Sequence, residues 1–300
     1  MLPTFTGSVL VVGDVMEDII VQPAGPMVRG SDVPAKIRTL PGGSGANQAM
    51  WLADCGVPVS FLARVGANDL DRYQTLFAAR GVTPLLSADP ERETGRLVTL
   101  LDTDGERSFF TDRGANLALG LAGLKPDLLE GIGLVHISGY SFFEPGPRAA
   151  MRQLMAAAKA ANIPVSVDPA STGFLASVGA DNFRAWTQGA ALVFPNQEEA
   201  AFLSGAKDTE AQIRALGESY DLVVLKRGEA GAMAGNRQGI LASAPALRIK
   251  ALDSTGAGDA FMAGFVAALY EGASLAHCLE RGNTAGARAA AQFGGQPVAV

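Results

Sequence analysis

The stretch Asp253-Ser254-Thr255-Gly256-Ala257-Gly258-Asp259-Ala260-Phe261 joins a glycine-rich turn to an apolar segment with helical spacing. Small residues let backbone N–H groups approach a ligand without obstruction from Cβ atoms. The first N–H groups of a helix lack intrahelical acceptors and lie at the positive end of its dipole, so residues 256–258 are expected to bind an anion. A carboxylate beside such a site, Asp259, suits phosphoryl transfer, in which it accepts the proton of an attacking hydroxyl. The alternative is an ordinary strand-to-helix turn in which Asp259 only caps the helix.

A second glycine-rich segment, Pro41-Gly42-Gly43-Ser44-Gly45-Ala46-Asn47-Gln48-Ala49, precedes apolar residues that fall on one helix face. It is not a Walker A loop, because no Gly-Lys-Ser/Thr ends it, and it lacks the Gly-x-Gly-x-x-Gly spacing of dinucleotide-binding folds. By itself, the segment is equally compatible with a helix start that needs tight packing.

Together, the two segments resemble the N-terminal and C-terminal signatures of the ribokinase-like (PfkB) carbohydrate kinases, and they occur in the same order. The resemblance extends along nearly the whole chain. It implies that Asp259 is a general base and that the N–H groups of residues 256–258 stabilise the transferred phosphoryl group. It also implies that Gly43 and Asn47 contact the hydroxyls of a sugar.

In this family an aspartate just after the first strand binds a substrate hydroxyl, and by spacing Asp18 matches this position better than the alternative, Asp14. Met16 stands where ribokinase itself has an asparagine, and this departure speaks against ribose as the substrate. The resemblance of the segment 195–199 to an Asn-x-x-Glu motif implies that Asn196 and Glu199 organise magnesium and its waters. The same pair is also typical of a helix N-cap with glutamate at the third position, and both interpretations are compatible.

The segment 223–231 is an apolar strand that ends in Gly-x-x-Gly. In the family the corresponding loop lies under the nucleotide, which implies ATP contacts for Lys226, Gly228 and Gly231. The alternative for Lys226 is a solvated strand end. Asn283, on the last helix, matches a position near the adenine.

The tail 293–295 resembles a segment that encloses a monovalent cation in several family members, together with Asp253 and Thr255. The resemblance therefore implies ATP and magnesium as cofactors, and it makes potassium a candidate.

Size and composition limit the class of protein. Three hundred residues, 48% of them hydrophobic, suffice for a single α/β domain over residues 1–300 with a substantial core. A net charge of −6 argues against a nucleic-acid partner, which needs a basic face. No segment has the length and apolarity of a spanning helix or the pattern of a signal peptide, and the two cysteines are expected to be free thiols, so we expect a cytoplasmic protein.

Short apolar strands alternate with helical patterns, which predicts a mostly parallel central sheet flanked by helices. The predicted strands are residues 9–12, continuing toward Asp18, and 60–63, 134–138, 165–168, 192–194 and 222–226. The predicted helices include residues 147–160, 198–203 and 211–220. An aspartate, Asp168, ends one strand at the edge where open α/β sheets bind ligands.

Two stretches, residues 19–40 and 96–111, break this alternation and have the pattern of short strands, with a hairpin turn at 102–105. They are expected either to pair into one small sheet or to form separate surface hairpins. In the family such a sheet is a lid over the sugar and often a homodimer contact, and it excludes water from the reaction.

The sequence thus predicts an ATP-dependent kinase that phosphorylates a primary hydroxyl of a small sugar. A nucleoside kinase of the same family, of the adenosine or pseudouridine type, shares every motif and is the alternative. A non-catalytic sugar-binding module is disfavoured, because binding alone does not require Asp259.

Overall fold

A computed structural model describes residues 5–101, 107–121 and 127–298. In these residues, thirteen strands form one large sheet, covered by helices on both faces, and one separate small sheet. The strands are β1 (Ser8–Val12), β2 (Met16–Pro23), β3 (Ala35–Gly42), β4 (Val59–Gly66), β5 (Val82–Asp89), β6 (Gly95–Leu101), β7 (Arg107–Asp112), β8 (Ile132–Ser138), β9 (Val165–Asp168), β10 (Leu192–Val193), β11 (Leu222–Lys226), β12 (Ala232–Asn236) and β13 (Gly239–Ala244). The α-helices are α1 (Ser44–Asp54), α2 (Leu70–Ala78), α3 (Pro145–Ala160), α4 (Thr172–Val178), α5 (Ala180–Thr187), α6 (Gln197–Ser204), α7 (Thr209–Leu216), α8 (Ala257–Tyr270) and α9 (Leu275–Ala290).

The large sheet has the strand order β13-β12-β11-β10-β9-β8-β1-β4-β5. Its strands from β11 to β5 pair in parallel, whereas β12 is antiparallel to both β11 and β13. The predicted mostly parallel sheet is therefore confirmed. The antiparallel β12–β13 hairpin was not predicted, because its alanine- and glycine-rich strands have little β-strand pattern.

The core lies on both faces of this sheet, and β1 shows why its strands are apolar throughout. Val9 and Val11 pack in a cluster with α1, α2, α8 and α9, whereas Leu10 and Val12 pack in a second cluster with α3 to α7. Since alternate residues of a strand point to opposite faces, a strand covered on both faces has no polar side.

Two sequence predictions are corrected. The first strand does not run on to Asp18: it ends at Val12, the chain passes Gly13 and Asp14, and Asp18 lies in β2 of the small sheet. The reason is a close approach, because a Cβ at Gly13 would lie 2.7 Å from the Cα of Gly45 in α1. The helix predicted over 211–220 is α7, which ends at Leu216 with Gly217 as its C-cap.

The two stretches that break the alternation do form one small sheet, with the order β3-β2-β6-β7. β2 pairs in parallel with β6, and each of them forms an antiparallel pair with its other neighbour. The turn predicted at 102–105 lies outside the described residues. Glu17 of β2 forms an ion pair with Arg72 of α2 at 2.5 Å, which ties the small sheet to the large domain, and a second ion pair within the small sheet with Arg96 of β6 at 3.5 Å.

None of the helices in the described ranges combines the length and the apolarity needed to cross a bilayer. Both cysteines are free thiols: Cys55 is half-buried and Cys278 is buried.

Candidate active site

The ends of the parallel strands and the start of α8 enclose a cleft of about 990 Å³. Asp168 at the end of β9 and Lys226 at the end of β11 line it, together with Gly258, Asp259 and Asn283. The cleft therefore opens at the carboxyl edge of the sheet, where α/β proteins bind their ligands.

The turn before α8 has the geometry of an anion site. Gly256 is the N-cap and has φ 74°, and a Cβ there would lie 2.5 Å from the carbonyl oxygen of Gly295. The N–H of Ala257 already donates to the carbonyl of Ser254 at 3.2 Å. The N–H groups of Gly258 and Asp259 belong to the first helical turn, which has no intrahelical acceptors to offer them. Of the predicted N–H donors, Gly258 is thus better placed than Ala257.

Asp259 is held by donors from the first turn of α1. Ser44 Oγ donates to its Oδ1 at 2.8 Å, and Asn47 Nδ2 donates to its Oδ2 at 3.1 Å. Burial, followed by the nearby charge of Asp168, raises the pKa of Asp259 to about 7, while these hydrogen bonds and Lys226 act in the opposite direction. A carboxyl group with a pKa near neutrality is well suited to general-base chemistry.

Lys226 forms an ion pair with Asp168, with Nζ 2.6 Å from Oδ2. A Cβ at Gly258 would lie 3.3 Å from the same Nζ, so the ammonium also adjoins the start of α8. The solvated-end alternative for Lys226 is excluded, because only 13% of its side chain is exposed.

Asn196 and Glu199 form the capping box of α6. The backbone N–H and Nδ2 of Asn196 donate to the carboxylate of Glu199 at 2.8 and 2.7 Å, and the N–H of Glu199 donates back to Asn196 Oδ1 at 2.9 Å. Burial raises the pKa of Glu199 to about 7. Within the described residues no three carboxylate, histidine or cysteine groups form a metal cage. Because Asn196 and Glu199 already bond each other, they are suited to contact magnesium through its bound waters rather than as direct ligands.

Asp14 lies in the connection between β1 and β2, and Asp18 lies in β2. Asp14 accepts from the N–H of Gly45 at 3.0 Å and from Arg113 at 3.3 Å. Asp18 Oδ1 is buried and has no hydrogen-bond partner among the described residues. Burial, followed by the charge of Asp14, raises the pKa of Asp18 to about 7. Asp18 is therefore the carboxylate that has an oxygen to offer a ligand.

Gly43, the N-cap of α1, lies against the backbone of Asp14, and Asn47 of the same helix contacts Asp259. Gly43 has φ 97°, and a Cβ there would lie 2.6 Å from the carbonyl oxygen of Asp14, so only glycine fits. Asn47 is 4% exposed and donates to Asp259, while its Oδ1 is buried and has no partner in the part of the chain that the structure describes. Asn47 can therefore accept a hydroxyl hydrogen from a ligand while it holds the carboxylate.

The predicted nucleotide contacts lie at the other end of the cleft. Residues 228–230 form a 3₁₀ turn. Gly231 has φ 82°, and the carbonyl oxygen of Ala244 occupies the space that a Cβ would need. Asn283 Nδ2 donates to the carbonyls of Ala244 and Pro245 at 3.2 and 2.9 Å. Gly231 and Asn283 thus build the cleft wall by packing on the end of β13.

The segments predicted to enclose a monovalent cation do come together. Asp253 Oδ1 accepts from the N–H and the hydroxyl of Thr255 at 3.1 and 2.7 Å, and its Oδ2 accepts from the N–H of Gly294 at 3.1 Å. The contact ties the tail to the turn before α8.

Three contributors to the site had no predicted catalytic, nucleotide-binding or metal-binding role, although Asp168 was expected at the ligand edge of the sheet and Ser44 and Tyr140 among the residues that set specificity. Asp168 ends an apolar strand, which was a visible signal, but its pairing with Lys226 has none in the sequence. Ser44 occupies a variable place in its motif. Tyr140 lies under the guanidinium of Arg113, 4.6 Å from its ring centroid, and also lines the cleft.

The chain belongs to the pfkB family of carbohydrate kinases, whose family model matches residues 6–299. It is accordingly a kinase, an ATP-dependent phosphotransferase.

Named relatives differ in substrate. The chain is 30% identical over 272 residues to a fructokinase of Klebsiella pneumoniae, covering 88% of this chain and 84% of that one. It is 27% identical to a cytidine kinase of Thermococcus kodakarensis, covering 91% and 92%. It is also 30% identical to the bifunctional protein HldE of Caulobacter vibrioides, but spans only 60% of that protein's length and covers 96% of its own.

Among solved structures, a probable sugar kinase from Rhizobium etli has a TM-score of 0.85 at 24% identity, covering 98% of this chain and 96% of that one. This likeness agrees with a ribokinase-like fold.

Proposed function

We propose that this chain is a sugar kinase that transfers the γ-phosphoryl group of ATP to a primary hydroxyl of a small carbohydrate. The observation that supports it most is the position of Asp259, a carboxylate with a raised pKa in the first turn of α8, beside the N–H of Gly258. A binding protein gains nothing from a carboxylate that repels a bound phosphate.

In this proposal Asp259 accepts the proton of the attacking hydroxyl, and the N–H groups of Gly256, Ala257 and Gly258 stabilise charge on the phosphoryl group. Gly258 makes the largest contribution, because the N–H of Ala257 is shared with Ser254. Asp18 and Asn47 accept hydrogen bonds from sugar hydroxyls through their partnerless buried oxygens. Asp14 and Gly43 shape the same wall.

The nucleotide lies along Lys226, Gly228, Gly231 and Asn283, on the side of the cleft away from the small sheet. Magnesium, bound through waters to Asn196 and Glu199, neutralises the phosphates. The cleft volume of about 990 Å³ is sufficient for ATP. Among the described residues, those that line this cleft do not include Asp14, Asp18, Gly43 or Asn47, so the sugar is proposed to lie beyond Ser44 and Asp259.

Potassium near Asp253 and Thr255 is a further part of the proposal, because the turn before α8 is held by this carboxylate. Activity is expected to be higher in potassium than in tetramethylammonium at equal ionic strength. Equal activities would remove potassium from the proposal.

We also propose that the small sheet closes over the sugar, that two chains dimerise through it, and that the enzyme works in the cytoplasm, where ATP is present. Ile37 and Phe110 fall on the same face of this sheet by strand register and are 64% and 61% exposed. Covering such an exposed apolar surface with a second chain is energetically favourable. Light scattering of the wild type and of Ile37→Lys tests the dimer, and a monomeric wild type would contradict it.

The decisive experiment is a coupled ADP-release screen over pentoses, hexoses, keto-sugar acids and nucleosides. The enzyme is expected to release ADP with at least one neutral or acidic sugar. With that sugar, kcat of Asp259→Asn is expected to be about 10²–10⁴-fold lower than that of the wild type. Asp259→Asn with nearly unchanged kcat would refute the assignment of the base.

A nucleoside kinase is the second candidate, favoured by the likeness to a cytidine kinase over nearly the whole chain. It predicts release of ADP with nucleosides and none with sugars.

A further inference from the structure

The hydroxyl of Ser44 contacts Asp259 from a residue 215 positions earlier in the chain. Ser44 is the first residue of α1, but Gly43 is the N-cap and no side chain caps the helix. The contact recorded for this hydroxyl in the described part of the chain is therefore with the carboxylate and not with its own helix. A serine at this position is available to act on Asp259.

The backbone on either side fixes where this hydroxyl points. A Cβ at Gly43 would lie 2.6 Å from the carbonyl oxygen of Asp14, and a Cβ at Gly45 would lie 2.5 Å from the Cα of Gly13. Ser44 lies between these two close approaches, so α1 cannot shift without breaking the packing against the end of β1. The rigid start of α1 holds the donor in place.

The groups that face Asp259 come from several elements. Asp168 of β9 raises its pKa, while Ser44, Asn47 and Lys226 of β11 lower it. Tyr140 also lies near Asp259, but its own pKa is raised to about 12 by burial, so it stays neutral between pH 6 and 9. Two influences therefore favour the ionised carboxylate that acts as a base: the hydrogen bonds from Ser44 and Asn47, and the positive charge of Lys226.

We infer that Ser44 is a positioning residue for the reaction: its hydroxyl fixes the rotation of the Asp259 carboxylate and favours the ionised form that accepts a proton. The inference rests on the proposed function, because it takes Asp259 as the base. Asn47 shares the task, but it also packs on Gly295 and contacts the sugar in our proposal. Ser44 is the residue at which the task can be tested separately.

The first test compares kcat/KM against pH for the wild type, Ser44→Ala and Ser44→Thr. Removing a hydrogen bond to the ionised form is expected to move the acid limb of Ser44→Ala upward by about one pH unit. At pH values below this limb, kcat/KM of Ser44→Ala is then roughly tenfold lower than that of the wild type. At high pH, kcat/KM of the variant returns to the wild-type value. Ser44→Thr keeps the hydroxyl and is expected to restore the limb.

A limb unchanged in Ser44→Ala, or a loss that is equal at every pH, would overturn the inference, since either result points to packing alone. Ser87→Ala is the matched control: its hydroxyl donates to a carbonyl of the neighbouring strand, Ala63, at 3.4 Å. Its pH profile is expected to coincide with that of the wild type.

The second test needs no activity. Carboxyl ¹³C resonances of the protein without ligands are titrated by NMR, and the signal of Asp259 is assigned by its loss in Asp259→Asn. Its midpoint is expected to be about one unit higher in Ser44→Ala than in the wild type. Coincident curves would overturn the inference, whereas a wild type that phosphorylates nothing would defeat the proposed function and leave the titration to decide the role of Ser44.

Discussion

Nζ of Lys226 lies 2.6 Å from Oδ2 of Asp168, so an ion pair joins the ends of β11 and β9 inside the cleft. Both side chains are largely buried, and Asp168 also faces Asp259. The pair therefore connects the side of the cleft proposed for ATP with the proposed base.

Lys226→Met is expected to destabilise the protein by about 3–5 kcal/mol, because it leaves the Asp168 carboxylate buried without its partner. The double variant Lys226→Met with Asp168→Asn removes both charges and is expected to recover much of this loss. Urea denaturation measures both. Equal stabilities of the single and double variants would show that an unpaired Asp168 carboxylate is not the cause of the loss.

Gly256→Ala is expected to reduce activity strongly. The substitution strains a residue with φ 74° and places a Cβ 2.5 Å from the carbonyl oxygen of Gly295, so the turn before Asp259 must move. Gly173→Ala in α4 is the matched control: its Cβ meets open space and no proline follows it, so the variant is expected to keep kcat and to stabilise the protein by about 0.4–1 kcal/mol. Full kcat in Gly256→Ala would contradict the role of this turn.

Glu199→Gln is expected to raise the magnesium concentration that gives half the maximal rate, with little change in the KM for the sugar. An amide offers a donor where the carboxylate accepts from Asn196, so the proposed water ligands lose their support. Glu198→Gln, at the exposed neighbouring position, is expected to behave like the wild type. If magnesium titrations of all three proteins coincide, Glu199 serves only as a helix cap.

Asp18→Asn is expected to stabilise the protein without substrate at pH 8. The pKa of Asp18 rises from 3.8 to about 7 on folding, so the folded state resists ionisation and loses stability as the pH increases between about 4 and 7. Asparagine does not ionise, so Asp18→Asn avoids this loss of folding free energy, which amounts to roughly 4 kcal/mol at most. Urea denaturation at several pH values tests this, and a stability difference that is constant from pH 4 to 8 would refute it.

Adding sugar alone is expected to slow amide exchange in β6 and β7, because the proposed closure of the small sheet orders its strands. Exchange in β1 is expected to stay the same, since that strand is already buried, and ATP alone should have a smaller effect on the small sheet. Exchange in β6 and β7 that ignores every active substrate would contradict closure while leaving the kinase assignment intact.

The fold was largely predictable because its signals are local. The apolar strand ending at Asp168 and the glycine turn at Gly256 each have a short pattern with one dominant physical cause. The β12–β13 hairpin was missed because its small residues are specified by close packing rather than by their own β-strand preference. The break after Val12 was missed for the same reason, as it depends on Gly45 in another element.

The site was predictable only in part. The two signatures identify Asp259 and Asn47, but no local pattern tells that Asn47 and Ser44 hold the carboxylate of Asp259. The Lys226–Asp168 pair joins two strand ends that are adjacent in space only because the sheet has its particular strand order. Contacts of this kind depend on topology, which single segments do not encode.

Trp51 of α1 becomes fully buried only after α8 and Gly295 have been synthesised, because α8 covers that helix and the carbonyl of Gly295 accepts the indole N–H at 2.8 Å. A nascent chain on the ribosome that has not reached Ala257 already contains residues 41–49, yet it exposes the apolar side of α1 and lacks the proposed base, Asp259. Synthesis of α8 therefore supplies the cover for α1 and the proposed base in one step.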